Sequence, residues 1–106
     1  MKNLKKEKYK IEAQAEKYIK KGKVREAIEE YRKLLTGGEE DISVLNVIGD
    51  LYVRSNQIDK AIEKFQKIDS FYEEKKLNYK AIAINKRITR LNPRDVESSK
   101  RLAIFF

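Results

Sequence analysis

Apolar side chains recur three and four positions apart along most of the chain: Ile11, Ala15, Tyr18 and Ile19, then Val24, Ala27, Ile28, Tyr31, Leu34 and Leu35. That spacing gathers them on one side of a helix and leaves the charged residues between them on the other. Gly22 ends the first run, where a left-handed residue lets a helix stop and the chain turn. Residues 36–41 read as a polar loop, and Asp41 or Ser43 is placed to cap the helix that follows. Asn92 and Pro93 close a later run, with Pro93 suited to the first turn of a last helix. Between Gln57 and Lys75 there is neither glycine nor proline, so one long helix is expected there. The pattern predicts helices over about residues 3–21, 24–35, 42–54, 58–75, 78–91 and 94–105.

The chain also repeats itself. Residues 23–35 return as residues 57–69, with Ala27 matching Ala61, Ile28 matching Ile62, Tyr31 matching Phe65 and Leu34 matching Ile68. A weaker copy follows at residues 78–91, where Ala81 answers Ala61 after a shorter step. Residues 15–22 align with residues 49–56, and residues 95–106 echo residues 41–52. Each unit is a pair of helices that cannot bury its apolar face alone, so neighbours must stack and share a core. The short step to the third copy implies that the long helix closes the second unit and opens the third. Phe65 and Ile68 then serve both, while Phe71 and Tyr72 continue the apolar stripe. All ten aromatics are read first as core, with Tyr9 and the Phe105–Phe106 end the exceptions.

A helix pair of this period, with a small residue in its first helix and Ala-Ile in its second, resembles the tetratricopeptide repeat (TPR) family. The small residues are Ala15, Gly49 and Ala103, and the aromatics one turn on are Tyr18, Tyr52 and Phe106. The second-helix signature is Ala27, Ala61 and Ala81, and residues 91–93 look like the family's closing Leu-Asp-Pro. The likeness spans residues 8–106. It departs where the loop glycine becomes Asn56 and then Lys76, where Glu39 replaces a closing proline, and where Asp69 takes a small-residue position.

The resemblance implies an all-α fold, an α-solenoid of stacked antiparallel helix pairs forming a right-handed, TPR-like superhelix of about three repeats. As a single domain over residues 1–106, its units run over about 8–41, 42–75 merging into 62–93, and a partial fourth at 94–106. In that family the first helices line a concave groove for a partner's peptide or helix. Carried over by register, the groove residues are Tyr9, Glu12, Glu16, Ile19 and Lys20, then Asn46, Asp50, Val53 and Arg54, then Gln66, Ser70, Glu73 and Glu74. Some members clamp a terminal carboxylate with Lys and Asn in the first unit. Glu12 and Glu16 stand in those places here, and like charges would repel such a ligand. A basic or amphipathic segment suits the groove better.

Composition narrows the chemistry. The chain has 106 residues, one domain's worth, with 41% hydrophobic against 40% charged, so it has apolar content enough to fold. It contains no histidine and no cysteine, which removes thiol nucleophiles, disulfides, histidine bases and the usual zinc ligands. Adjacent acids such as Glu29–Glu30 and Glu73–Glu74 point different ways on a helix, and residues 39–41 lack the ligand spacing of a dedicated calcium loop. A non-catalytic protein-interaction module, a scaffold or adaptor with no cofactor or metal, is therefore expected.

The formal charge is +8, unevenly spread. Residues 1–10 hold five lysines against Glu7, and residues 75–106 hold nine basic residues against Asp95 and Glu97. This opens an alternative: a basic α-solenoid that binds RNA or another polyanion through Lys80, Lys86, Arg87, Arg90 and Arg94. Those residues fall mainly on outward faces of second helices. No apolar run is long enough for a membrane span, and the basic start has no apolar stretch behind it. A cytoplasmic protein is the expectation. Residues 95–106 read as the first helix of an unfinished repeat, with Ile104, Phe105 and Phe106 offering an apolar end for self-association or for the next helix of a longer protein.

Overall fold

The computed structural model describes residues 4–35 and 41–91. The expected final helix over 94–105, its closure at Asn92 and Pro93, and the polar loop at 36–40 lie outside the described residues, as do Arg94, Ala103, Ile104, Phe105 and Phe106. All regular structure among the described residues is helical: α1 (Leu4–Lys20), α2 (Val24–Arg32), α3 (Ile42–Arg54), α4 (Ile58–Glu74) and α5 (Asn78–Leu91). Where the pattern extends the second helix to residue 35, the chain tightens after Arg32 into a 3-10 turn, Lys33–Leu35. The N–H of Lys33 reaches back three residues to the carbonyl of Glu30, a common way to use the last carbonyls of a helix. Asp41 caps α3, its carboxylate accepting from the N–H of Ser43 at 2.9 Å and of Val44 at 3.3 Å.

Three turns repeat one geometry. Gly22, Asn56 and Lys76 all take a left-handed backbone, with φ of 76°, 60° and 59°. At each, the N–H of the next residue returns five positions: Lys23 to Tyr18, Gln57 to Tyr52 and Leu77 to Tyr72, all at 2.8 Å. The left-handed residue's own N–H reaches back three, to Ile19, Val53 and Glu73. This is the Schellman closure, normally built on glycine. Asn tolerates the left-handed region better than most residues, whereas Lys76 adopts it against its own preference. The departures from glycine at Asn56 and Lys76 therefore leave the turn intact.

Consecutive helices pack on one another, α1 on α2, α2 on α3, α3 on α4 and α4 on α5. The core takes one stripe from each: Ala15, Ala27 with Ile28 and Tyr31, Leu45 with Ile48 and Tyr52, Ala61 with Phe65 and Ile68, and Ile84 with Ile88. The unbroken α4 packs between α3 and α5, and Phe65 meets both, Gly49 on one side and Arg87 on the other, while Ile68 is buried with it. Gly49 is there because nothing larger fits. A Cβ on it would lie 2.5 Å from Phe65 Cε1 and 2.7 Å from Cζ. Tyr79 is a correction to the core assignment, since it is 91% exposed. Its register partners Arg25 and Asp59 are also exposed, so it occupies the solvent side of its unit.

Candidate functional site

α1 and α3 flank a groove floored by α2. On α1 its wall is Lys8 and Glu12, and on α3 it is Ser43, Val44 and Val47. Tyr31 of α2 and Leu34 of the 3-10 turn form the floor of a shallow pocket of about 180 Å³. Helical spacing adds Asn46, one turn on from Ser43 and exposed. Lys8 and Glu12 form a long, exposed pair at 3.9 Å, one helical turn apart, of the kind that holds little energy.

The electrostatics of this groove run against the chain's net charge. The hydroxyl of Tyr31 donates to Glu16 Oε1 at 3.3 Å. Burial raises the Tyr31 phenol above its ordinary value, and the Glu16 charge, the hydrogen bond to it and the Glu12 charge raise it further. The floor thus sits in a negative local field in a protein of formal charge +8.

A second juncture lies one unit on, where α3 and α5 meet across α4. Arg87 Nη2 pairs with Asp50 Oδ1, and its guanidinium lies over the Phe65 ring, 4.3 Å from the centroid. Here residues from the two proposed surfaces come into contact. Asp50 belongs to the groove set and Arg87 to the polyanion set, so Arg87 departs from the expected outward orientation and faces α3.

The remaining groove residues divide. Tyr9 is 75% exposed on α1, and Lys20 and Arg54 are exposed at the ends of their helices. Ile19 and Val53 pack against the core and are only half-buried. Gln66, Ser70, Glu73 and Glu74 are exposed on α4, and none lines the α1–α3 pocket. The reason is topological. They belong to α4, which floors the α3–α5 juncture as α2 floors the first, so they lie one unit on from that pocket. Of the polyanion set, Lys80 stacks on the Tyr72 ring at 5.8 Å, while Lys86 and Arg90 are exposed. Of the floor residues, Tyr31 and Leu34 were read from the sequence only as packing residues, and Val44 and Val47 carried no assignment. Their doubled role follows from the register only once α1 and α3 are seen side by side.

Two further depressions are present. One lies between α2 and the α3–α4 turn, about 270 Å³, with Arg25, Arg32 and Lys60 around Tyr52. The other lies along α4 and α5, lined by Tyr72, Lys80, Ala83, Ile84 and Arg87. Among the described residues no three His, Cys, Asp or Glu side chains converge on a point that could hold a metal ion, and no helix is long and apolar enough to cross a membrane. No family model matches the chain, and no curated protein matches it significantly.

Proposed function

We propose that the chain is a protein-interaction module of the TPR type, a scaffold or adaptor that receives a basic or amphipathic segment of a partner in the α1–α3 groove. One observation carries this reading: the groove has an apolar floor of Tyr31, Leu34, Val44 and Val47 beneath a charged and polar rim of Lys8, Glu12, Ser43 and Asn46, and the charges of Glu16 and Glu12 bear on that floor. An apolar floor with a polar rim is what a peptide-binding surface requires, the floor for affinity and the rim for selection. The recurrence of one turn geometry at Gly22, Asn56 and Lys76 supports stacked repeats of a single unit. The polyanion reading has less support, because Arg87 is already paired with Asp50.

The test is selection of peptides from a random displayed library on the immobilised chain. Basic or amphipathic peptides are expected, with affinity reduced roughly tenfold or more by Glu12→Ala combined with Asn46→Ala, which is a loss of about 1.4 kcal/mol or more. Binders indifferent to those changes but lost with Lys86→Glu and Arg90→Glu would move the site to the basic surface.

A further inference from the structure

The α1–α3 groove and the α3–α5 juncture are the same construction, displaced by one unit. Glu16 and Tyr31 of the first correspond at 34 residues to Asp50 and Phe65 of the second. The third helix of each also corresponds. α5 follows α3 at an offset of 40, which matches Val44 with Ile84, Val47 with Arg87 and Ile48 with Ile88. Their burial agrees: Val44, Ile84, Ile48 and Ile88 are buried, whereas Val47 and Arg87 are both half-buried.

The two sites differ in what fills them. In the second, Arg87 supplies a guanidinium that covers the aromatic floor and neutralises the carboxylate on the wall. Phe65 is left with 0% exposure. In the first, Val47 stands where Arg87 would be and has no charge to offer Glu16 and no planar group to cover the ring. The pocket of about 180 Å³ stays open above Tyr31, which keeps 7% exposure. Glu16 is exposed and accepts a hydrogen bond from the Tyr31 hydroxyl, with no salt bridge to a basic side chain among the described residues.

We propose that the α1–α3 groove is a receptor for an arginine side chain of a partner polypeptide, its guanidinium stacked on Tyr31 and paired with Glu16 as Arg87 is on Phe65 and Asp50. This rests on the reading of the groove as a docking site and specifies what it selects. Arginine is preferred to lysine because a planar guanidinium can lie flat on a ring while its edge donates to a carboxylate. Glu12, half-buried one turn before Glu16, adds a second negative charge to the wall. Lys8, which also borders the pocket, pairs with Glu12 and not with Glu16.

The experiment uses the full chain, isotope-labelled, titrated with N-acetyl-arginine amide. The lysine analogue and the neutral, nearly isosteric citrulline analogue serve as controls. Saturable shifts are expected at Glu16, Tyr31 and Val47 with a Kd on the order of millimolar, as one side chain can give. Citrulline is expected to bind at least about tenfold more weakly, and Glu16→Gln to weaken arginine by a similar factor. Val47→Arg should fill the site from within and abolish the titration. If that variant does not fold, the parent and Glu16→Gln titrations decide alone. Equal shifts for arginine and citrulline, indifference to Glu16→Gln, shifts centred elsewhere, or no shifts at all would each overturn the proposal. The docking reading fails separately. Selected peptides that seat in the groove without arginine would sustain docking and overturn this receptor, whereas arginine amide binding without any groove-directed peptide would do the reverse.

Discussion

Asn85 Nδ2 donates to Asp69 Oδ1 at 2.7 Å inside the α4–α5 contact, at the register where Gly49 meets Phe65 one unit earlier. Both side chains have 0% exposure. The same amide nitrogen also donates to the carbonyl of Ala81 at 2.9 Å, so the Asn85 side chain ties α5 to α4 and to its own preceding turn. A contact made by a ring on a glycine in the second unit is thus made by a hydrogen bond in the third. A buried polar pair is strong only while both members are present, because either one alone is left desolvated.

It follows that Asn85→Ala should destabilise the chain by about 1–3 kcal/mol, the usual result of removing one buried partner. Replacing both, Asp69→Ala with Asn85→Phe, copies the small-against-aromatic arrangement of the other units and should recover most of that loss. Urea unfolding of the parent, the single variants and the double variant measures it. A double variant no better than the worse single one would mean that the two residues do not act as a pair.

Gly49→Ala sets two effects of known size against each other. Alanine in a helix interior gains about 0.5–1 kcal/mol over glycine. Overpacking a filled contact costs about 1–3 kcal/mol. The ring of Phe65 blocks the new Cβ at 2.5 Å, and Arg87 covers that ring with its guanidinium 4.3 Å from the centroid, so the ring has little room to retreat. Overpacking should win, with a net loss near 1 kcal/mol and a partial rescue by Phe65→Leu. A parent-like urea midpoint for Gly49→Ala would show that Phe65 moves aside freely.

Most of the fold was legible because it depends on local pattern. Spacing by three and four, the break at Gly22 and the absence of any breaker from Gln57 to Lys75 located α1, α3, α4 and α5 to within a residue, including the unbroken α4, and overran α2 by the three residues of its 3-10 turn. What escaped depends on non-local placement or on a backbone state that residue type does not announce. Nothing about lysine as a residue type marks Lys76 as left-handed; only its register with Gly22 and Asn56 does, and the closing bond from Leu77 to Tyr72 holds it there. Tyr79 looks like core by composition, although alignment with Arg25 and Asp59 already puts it outside. The pairing of Asp50 with Arg87 spans 37 residues and has no local signature at all. The site was the least legible part for the same reason. Glu12, Glu16 and Asn46 could be put on a groove wall by register, but its floor and the empty counterpart of Arg87 require the helices in place.

The turns give a prediction in opposite directions. At Lys76 a side-chain-bearing residue sits in the left-handed region, at a cost of roughly 1–2 kcal/mol relative to the right-handed one, and glycine avoids most of it. Glycine also loses more entropy on folding, so Lys76→Gly should gain only about 0.5 kcal/mol. Gly22→Ala should lose about 1 kcal/mol, and purely through the backbone, since no atom lies within 4 Å of the added Cβ. Calorimetry should place the two variants a few degrees to either side of the parent. A loss in Lys76→Gly would mean that the lysine side chain contributes contacts outweighing its backbone strain.

The last prediction concerns Tyr31, which reports on the charge of the proposed receptor. Its phenol is raised by burial first, then by the Glu16 charge, the bond to that carboxylate and the Glu12 charge. A raised phenol means that, as pH climbs past the ordinary value of 10.0, the unfolded chain releases this proton before the folded one does. The unfolded state then binds fewer protons, so stability contributed by this linkage is complete below that value and declines as pH rises toward the folded-state value. Tyr31→Phe should therefore lose stability less steeply under alkaline conditions than the parent, the other tyrosines being common to both. Glu16→Gln removes the largest charge and the anionic acceptor but leaves the ring buried. In that variant the Tyr31 phenol should titrate lower than in the parent yet still above its ordinary value. Following the phenolate by nuclear magnetic resonance in the two proteins separates burial from charge. An unmoved titration in Glu16→Gln would mean that the carboxylate does not act on the floor of the groove, and a guanidinium stacked on Tyr31 would then lack its counter-ion.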